Sequence, residues 1–402
     1  MLNTPSEVYH PKGKNLSFEN TEIAFRGMSK TDLNRAYWLF KIISNNFLTK
    51  IGPPITNLFL KIGLPIKSLI KATIFRQFCG GETIQECKST IQHLNNGLVG
   101  SILDYSVEGA EEEKELDFTC AEIIKTINCA NGDKRIPLAV FKITGIARFA
   151  LLQKITSNIQ LSADEQEEYS RVKSRTDQIC QAASKANVPV MIDAEETWVQ
   201  KPVDDLAIEM IRKYNRERLI VYNTYQLYIN GKLDILKADA AAAKTENYIL
   251  GAKLVRGAYM EKERERAAEF GYASPINPDK EATDSDYMNA VIFCIDNIDH
   301  VSVVAGTHNE DSCRFLADLL EKRGIPRNHP NVYFSQLLGM GNILSFNLAD
   351  AGYNVAKYIP YGPVKAVLPY LFRRAQENTS IAGQMGRELN LIQTERNRRK
   401  GN

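Results

Sequence analysis

Eight polar residues stand near the carboxyl ends of eight short apolar runs in this 402-residue sequence. In chain order they are Asp104, Lys142, Asp193, Gln226, Arg256, His308, Gln336 and Tyr358. A polar side chain at such a position is costly to bury unless it has a hydrogen-bonding or charged partner. Any one of them could simply satisfy the backbone of a loop, but all eight together predict a polar, ligand-binding mouth.

A second group of functional residues lies in a helical pattern near the end of the chain. Tyr370, Arg373, Arg374 and Glu377 are spaced i, i+3, i+4 and i+7, which places them on one stripe of a helix. Because a guanidinium group binds a carboxylate through two charge-assisted hydrogen bonds, the two arginines predict a carboxylate clamp. Alone, the pattern favours an exposed Arg–Glu pair at i, i+4 over a clamp.

The eight runs alternate with stretches of helical periodicity, which predicts a parallel sheet. They read VGSILDYS, IPLAVFKI, VPVMIDAE, RLIVYNTY, YILGAKLVRG, VSVVAGTH, NVYFSQLL and NVAKYIPY. Their near-continuous hydrophobicity fits strands that are buried on both faces. Since eight parallel strands close a barrel, the predicted fold class is α/β, a (β/α)8 TIM-type barrel covering residues 99–402.

Residues 1–98 are predicted to form an N-terminal helical arm. Between Leu33 and Gly81 the sequence contains no Asp or Glu, while seven Lys and Arg residues alternate with apolar ones. The first interpretation is a helical arm packed on the barrel. The alternative is a basic amphipathic patch that rests on an anionic membrane surface.

Several classes of function are disfavoured by the sequence. A net charge of +2 gives no reason to expect a nucleic-acid partner. There is neither a GxGxxG motif after a strand nor a Walker loop. His300, His308 and Glu310 do not have the spacing of metal ligands on a helix, so no metal site is predicted.

At these residues the sequence resembles the proline dehydrogenase family. The resemblance extends from about Asp104 to Ser380 and is weaker in the N-terminal arm. It is carried by IDAEE at 192–196, KLVRGAY at 253–259, THNE at 307–310, KYIPYGP at 357–363 and YLFRRAQEN at 370–378. Each segment is a modest signal, but five in the right order are highly specific.

The resemblance implies FAD, bound at the open end of the barrel without a dinucleotide-binding fold. The residues expected to contact it are Asp193, Ala194, Gln226, Lys253, Arg256, Gly257, Ala258, Thr307, His308, Asn309, Gln336 and Glu377. Asp193 and Lys253 are assigned catalytic roles. Lys253 stands where many family members have an arginine close to the flavin N5. A lysine keeps the charge but loses the guanidinium fork.

The resemblance also implies oxidation of L-proline to Δ1-pyrroline-5-carboxylate, by hydride transfer from C5 to FAD N5. Three cations would hold the substrate carboxylate: Lys142, Arg373 and Arg374. Asp104, Leu254, Tyr259, Tyr358 and Tyr370 would complete the substrate site. Glu108 would form an ion-pair gate with Arg373 over the bound substrate. A dedicated base for the amine is not evident from the sequence.

Tyr358 carries a prediction about specificity. In this family its position lies against the ring edge where a 4-hydroxyl group would be, so a tyrosine there favours proline over 4-hydroxyproline. A 4-hydroxyproline dehydrogenase is therefore the alternative within the class. In other classes, Lys142 could form the Schiff base of a lyase or aldolase, and the same clamp could belong to a non-catalytic amino-acid sensor.

The family's usual electron acceptor is a membrane quinone, which would suit a basic arm that docks on the membrane. Because no NAD-binding aldehyde dehydrogenase portion is recognisable, a separate pyrroline-5-carboxylate dehydrogenase is the expected partner. The N-terminus lacks an apolar signal core, and no run of 18 uncharged apolar residues occurs, so the predicted location is cytoplasmic. A peripheral position on the inner face of the membrane is the alternative, and a missing presequence would make the location mitochondrial.

Overall fold

Eight parallel strands form a single sheet whose first and last strands are neighbours. The computed structural model describes residues 16–43, 67–107, 109–380 and 384–401, with only the backbone described for 375–380, 384 and 385. The strands are β1 Gly100–Tyr105, β2 Ala139–Lys142, β3 Val190–Asp193, β4 Val221–Gln226, β5 Leu250–Val255, β6 Val301–Gly306, β7 Val332–Leu337 and β8 Val355–Tyr361. In the sheet they follow the order β1-β8-β7-β6-β5-β4-β3-β2.

The sheet curls into a nearly closed barrel, which confirms the predicted fold class. Strand β1 pairs with β8 from Gly100 opposite Ala356 to Tyr105 opposite Tyr361. Strands β1 and β2 lie side by side without a ladder between them, and the Ser101 N–H donates to the Arg135 carbonyl at 2.8 Å beside this seam. The carboxyl ends of all eight strands therefore meet at one rim.

Helices follow the strands and cover the outside of the barrel. They are α1 Thr21–Phe25, α2 Lys30–Ile43, α3 Lys67–Ile70, a π-helical turn Lys71–Phe75, α4 Arg76–Phe78, α5 Ile84–Asn96, α6 Glu113–Ala130, α7 Phe149–Thr156, α8 Ala163–Ala186, α9 Thr197–Tyr214, α10 Lys232–Glu246, α11 Met260–Phe270, α12 Lys280–Asp296, α13 Glu310–Lys322, α14 Asn342–Asp350, α15 Leu368–Ser380 and α16 Gln384–Gly401. A short 3-10 turn, Ile143–Gly145, follows β2.

Local capping explains where two of these helices begin. At the start of α8, Ser162 Oγ accepts from the Glu165 N–H and Glu165 Oε2 accepts from the Ser162 N–H, which is a capping box. At the start of α13, Asn309 Oδ1 accepts from the Ser312 N–H at 2.8 Å. The second cap fixes a helix N-terminus at the carboxyl end of β6.

Side chains on the two faces of the strands fill two separate apolar regions. The barrel interior is packed by Ile102, Leu138, Val140, Met191, Tyr222, Val304, Ala356 and Tyr358. The opposite faces join the helices in a larger cluster. Both faces are buried, which is why the strands are continuously apolar in sequence. Because side chains alternate along a strand, residues next to each other in sequence serve different regions.

The first helices pack against the last one. Thr21 Oγ1 donates to Glu395 Oε2 at 3.0 Å, and the Arg399 guanidinium donates to the carbonyl oxygens of Phe25 and Met28 at 2.6 and 2.7 Å. The described part of the predicted arm is therefore helical and lies on the body of the protein. Residues 44–66, the middle of the basic segment, lie outside the described residues, and the domain boundary at residue 98 stays a prediction.

Candidate active site

Lys253, Asp193 and Tyr358 meet inside the barrel, from strands β5, β3 and β8. The Lys253 Nζ donates to Asp193 Oδ1 at 2.6 Å, and the Tyr358 hydroxyl donates to the same oxygen at 3.2 Å. Lys253 is 6% exposed and Tyr358 is 5% exposed. Burial raises the pKa of the Tyr358 hydroxyl, and the nearby carboxylates of Asp193 and Asp104 raise it further, so the phenol keeps its proton.

The eight polar residues of the sequence pattern lie at or near the carboxyl rim. Three are the last residues of their strands: Lys142, Asp193 and Gln226. Two follow their strands: Arg256 and His308. Three lie within their strands: Asp104, Gln336 and Tyr358. Tyr358 is three residues before the end of β8, and its side chain points into the barrel.

A cavity of about 570 Å³ opens at the rim beside β2 and β3, whose last residues, Lys142 and Asp193, are paired in register. Thr144, Glu195, Tyr259 and Arg373 are among the residues that line it. Aromatic, cationic and acidic groups therefore share one space at the rim, which suits a small zwitterion better than an apolar ligand.

Glu195 has no assigned role in the sequence-based prediction, yet it is the most deeply placed acid of this cavity. It is 4% exposed. Its Oε1 accepts from the Thr144 N–H at 3.1 Å, and its Oε2 accepts from the Thr144 hydroxyl. Burial raises the pKa of the Glu195 carboxyl to about 7, while the positive charge of Lys142 and the bonds from Thr144 oppose that rise.

Arg256 is held at the N-terminus of helix α13. Its Nη1 donates to Thr307 Oγ1 at 3.0 Å, its Nη2 donates to Ser312 Oγ at 2.9 Å, and its Nε donates to Asp284 Oδ1 at 2.7 Å. The Thr307 hydroxyl also accepts from the Asn309 N–H at 3.1 Å. A fixed guanidinium beside the N-terminus of a helix is a combination that binds phosphate groups.

His308 and two glutamines hold the backbone of neighbouring loops. His308 Nε2 accepts from the Leu337 N–H at 3.2 Å, and burial lowers the pKa of His308 to about 3, so its ring is neutral. Gln226 Nε2 donates to the Glu195 carbonyl at 2.7 Å. Gln336 Nε2 donates to the Thr307 carbonyl at 3.1 Å. These residues tie the end of β3 to β4 and the end of β6 to β7.

The remaining predicted cofactor residues supply backbone at the rim. Gly257 has φ of +144°, and a Cβ there would lie 2.0 Å from the Tyr228 ring, so only glycine fits. Ala258 is exposed and Ala194 is half-buried. A small, open stretch of backbone is therefore available for close contact with a ligand.

The two arginines of α15 face different neighbours. Arg373 lines the cavity with Glu195 and Tyr259, and its charge acts on the Tyr259 hydroxyl. Arg374 is 7% exposed, lies 5.3 Å from the Tyr370 ring centre and helps to lower the pKa of His308. Neither arginine is an exposed surface residue.

One predicted residue, Leu254, stands apart from this arrangement, and two others are not fully described. Leu254 is fully buried, but the alternation along β5 places it on the face opposite Lys253, in the layer shared with the helices. Glu108 lies outside the described residues, and of Glu377 only the backbone is described. The predicted gate between Glu108 and Arg373 thus stays a prediction.

Lys357 and Glu388 form a buried charged group that the sequence did not reveal. Lys357 is fully buried, and its Nζ donates to the carbonyl oxygens of Leu337, at 3.2 Å, and Met340, at 2.5 Å. Glu388 Oε1 accepts from the Gly341 N–H at 2.7 Å. Burial lowers the pKa of Lys357 to about 7 although the charge of Glu388 opposes the change. The pair supports the β7–α14 loop from outside the barrel.

The family model described as proline dehydrogenase matches residues 87–387. The chain belongs to the proline dehydrogenase family. The match spans every strand of the barrel and the whole of α15, and thus includes the interior group, the cavity and the helix N-terminus described above.

Relatives of this family resemble the chain over most of its length. Proline dehydrogenase 1, mitochondrial, of Dictyostelium discoideum is 32% identical over 94% of this chain and 74% of its own length. The Homo sapiens protein of the same name is 41% identical over 66% of this chain and 45% of its own length. The chain therefore spans about half to three quarters of these relatives.

A solved structure shares the fold. Proline utilization A from Bdellovibrio bacteriovorus superposes with a TM-score of 0.72 at 18% identity, and covers 90% of this chain and 38% of its own. That agreement concerns the barrel. Membership of the family implies a flavin cofactor, and the residues at the rim fit one: Arg256 and the start of α13 suit its phosphates, and Lys253 supplies a buried positive charge.

Proposed function

We propose that this chain oxidises L-proline to Δ1-pyrroline-5-carboxylate with FAD as its cofactor. The observation that carries the proposal is the buried Lys253–Asp193 pair, joined by Tyr358, together with a cavity lined by Glu195 and Arg373 at the same end of the barrel. A bound flavin would supply the acceptor for the hydride that leaves C5 of the substrate. The residues of the chain bind and orient the substrate, and they polarise the flavin.

Positive charge inside the barrel is the main contribution of Lys253. Because the side chain is buried and held by Asp193, its field acts through a medium of low dielectric constant and needs no reorganisation during the reaction. Such a charge stabilises the negative charge that a flavin gains when it is reduced. Asp193 fixes the ammonium in place.

FAD is preferred to a smaller flavin because the rim offers a site for a pyrophosphate. Arg256 points two of its nitrogens at Thr307 and Ser312, next to the N-terminal N–H groups of α13. Gly257 leaves its backbone open to close approach. Gln226, His308 and the other predicted contacts would then hold the loops that surround the cofactor.

The substrate carboxylate is assigned to the cations of the cavity. Lys142 lies at the end of β2, and its charge acts on Glu195 and Tyr259, which line the cavity. Arg373 lines the same cavity from α15. Arg374 is placed one residue further around the helix, next to His308. Tyr259, Tyr358 and Tyr370 would form the walls around the ring, since all three are buried and aromatic.

Tyr358 supports the preference for proline over 4-hydroxyproline. Its ring lies inside the barrel, and its hydroxyl is fixed by the bond to Asp193, so it cannot easily swing away from a bulkier substrate. A 4-hydroxyproline dehydrogenase would need a smaller residue at this position. The alternative activity is therefore proposed only as a minor one.

The electron acceptor is proposed to be a quinone, and the product is proposed to pass to a separate pyrroline-5-carboxylate dehydrogenase. The two relatives are named as mitochondrial proteins. Within the part of the chain that the structure describes, no helix is both long and apolar enough to cross a membrane.

A peripheral contact of the basic arm with the membrane surface stays a proposal. Co-sedimentation with anionic vesicles tests it, and failure to bind, with or without proline, would reject it.

An absorption spectrum of the purified protein, before and after anaerobic addition of L-proline, tests the proposed activity. We expect flavin bands that bleach with proline, and a product with the mass of pyrroline-carboxylate. A colourless protein that borohydride traps on Lys142 with a carbonyl substrate would instead indicate a Schiff-base lyase. Binding of proline without bleaching would indicate a sensor.

A pair of variants locates the substrate site. Arg373→Met should raise KM for proline by about tenfold or more with the flavin retained, because one charge-assisted contact is lost. Lys201→Met is the control, since Lys201 is exposed and pairs with Asp205 on the surface. Equal KM values for the two variants would contradict the assignment of Arg373.

A further inference from the structure

Oxidation of a secondary amine at the adjacent carbon requires a group that accepts a proton. The nitrogen of the substrate is protonated at neutral pH, and its lone pair must be free before the carbon–hydrogen bond can give up a hydride. The Asp193 carboxylate is ion-paired with the buried Lys253 ammonium, so a proton on Asp193 would leave that ammonium uncompensated. Lys142 is a cation with the role of binding a carboxylate. Five other acids line the cavity: Glu111, Glu195, Glu196, Glu265 and Glu269. Glu195 is the most deeply buried of them.

The backbone of Glu195 is held from both sides. Its N–H donates to Gln200 Oε1 at 2.6 Å, and its carbonyl accepts from Gln226 Nε2 at 2.7 Å. Gln200 lies in α9 and Gln226 ends β4, so two elements fix the turn that follows β3. The direction of the side chain is therefore set before any ligand arrives.

The carboxylate of Glu195 is held beside the cavity that this residue lines. Thr144, which follows β2, donates to both of its oxygens, one from the N–H and one from the hydroxyl. An ionised carboxylate has about four acceptor positions on its two oxygens, so room remains for a third donor from the cavity side. An ammonium group of a bound substrate is such a donor.

The charged groups around Glu195 come from four elements. The positive charge of Lys142 in β2 stabilises the ionised form of Glu195, and the negative charge of the neighbouring Glu196 destabilises that form. Glu196 is itself paired with Lys262 of α11 at 3.0 Å. Tyr259 at the start of α11 and Arg373 of α15 line the same cavity. The carboxylate of Glu195 is thus buried among charged groups of both signs, which have opposite effects on its ionisation.

We propose that Glu195 is the group that takes the proton from the amine of the substrate. In this step an N–H bond of the substrate ammonium breaks, an O–H bond forms on the Glu195 carboxylate, and the electron pair stays on nitrogen. That pair then forms the C=N bond as C5 gives up its hydrogen with two electrons to the cofactor. The inference depends on the proposed function.

The acid strength of Glu195 suits this task. Because burial raises its pKa to about 7, the carboxyl group exchanges its proton near neutral pH. A general base works best when its pKa is close to the operating pH. The group must be ionised to act, so kcat/KM for proline should rise as the pH rises through this range.

Two glutamine variants provide the first test. Glu195→Gln should lower kcat/KM for proline by about 100-fold at neutral pH and remove the bend near the pKa of Glu195 from the pH profile. Glu196→Gln is the matched control, because it removes the adjacent charge but leaves the proposed base. It should retain the bend.

A second readout separates proton transfer from a structural role. Tetrahydrofuran-2-carboxylate has the ring and carboxylate of proline but an oxygen in place of the amine, and its binding can be followed by the change in the flavin spectrum. Glu195→Gln should bind it within about threefold of the wild type. If affinity for this compound fell as far as kcat/KM, Glu195 would only position Lys142 or Thr144, and the proposal would be wrong.

Thr144→Val tests the proposal without removing the acid. The bond from the Thr144 hydroxyl lowers the pKa of Glu195, so its loss should move the bend to higher pH. An unmoved bend would overturn the proposal even if Glu195→Gln failed to fold. A wild-type protein that does not bleach with proline would refute the proposed function instead, so the two failures are distinguishable.

Discussion

Lys253 Nζ lies 2.6 Å from Asp193 Oδ1 in the interior of the barrel, and the Tyr358 hydroxyl donates to the same oxygen. Removing one partner of a buried ion pair leaves the other charge uncompensated, which costs more than the pair contributes. The pair is therefore both a structural unit and a source of fixed charge beside the proposed cofactor.

Lys253→Met should lower the midpoint potential of the bound flavin, because a buried positive charge is lost. We also expect kcat/KM for proline to fall by about 100-fold or more. Potentiometric titration measures the first effect and steady-state kinetics the second. Lys253→Arg keeps the charge and should restore most of both, whereas a Met variant with the wild-type potential would show that Lys253 does not act on the flavin.

Tyr358→Ser should shift specificity towards 4-hydroxyproline. The substitution removes a ring from the barrel interior and leaves space at the substrate edge. The ratio of kcat/KM for 4-hydroxyproline to that for proline should rise by about tenfold or more. Tyr358→Phe keeps the ring and loses only the bond to Asp193, so it should leave this ratio near the wild-type value. An increase in the Phe variant alone would contradict the steric explanation.

Arg256→Met should weaken the binding of FAD. Loss of a charged hydrogen-bonding group costs about 1.5–3 kcal/mol, which corresponds to roughly a tenfold to 100-fold rise in Kd. Titration of the apoprotein with FAD, monitored by fluorescence, measures this Kd. Arg314→Met is the control, because Arg314 pairs with Glu310 within α13 and packs on the Phe18 ring. Equal losses in the two variants would argue against a phosphate site at Arg256.

His308 should make folding stability depend on pH. Its pKa is lowered from 6.5 to about 3 in the folded protein, so the unfolded chain binds more protons at this residue between these values. Stability from the neutral imidazole is present above the unfolded pKa and is lost as the pH falls. Between about pH 5 and 6 the contribution to the slope approaches about 1.4 kcal/mol per pH unit. Urea unfolding of wild type and His308→Gln should show a shallower slope for the variant, and equal slopes would contradict the prediction.

The sequence was sufficient to predict the eight strands and the position of most polar side chains at the rim. Each strand is a run of apolar, β-branched residues that is buried on both faces, and the polar residue near its end marks where burial stops. Lys142, Asp193 and Gln226 end their strands as predicted. The roles of these residues in catalysis depend on the family resemblance.

Glu195 was missed because its partner is distant in sequence. Thr144 lies 51 residues earlier, and only the packing of β2 beside β3 brings the two together. An acid just before a helix is common at helix starts, so the sequence offers an ordinary explanation for it. The deep burial that changes its acid strength is a property of the assembled rim and has no counterpart in local sequence.

Leu254 illustrates a different limit. In a continuously apolar strand nothing in the sequence shows which residues point inwards, because both faces are equally hydrophobic. The structure answers this through Lys253, whose ammonium must face Asp193 across the interior, so Leu254 faces the helices. This orientation offers no explanation for its predicted contact with the substrate, which stays a prediction.

The neighbours Lys357 and Tyr358 point to opposite sides of β8, one towards the loop carbonyls of Leu337 and Met340 and the other towards Asp193. Inserting or deleting a single amino acid upstream in this strand would exchange them, and would put an ammonium where a phenol belongs. Natural variation in β8 should thus consist of replacements, while changes of length should be confined to the loops on either side.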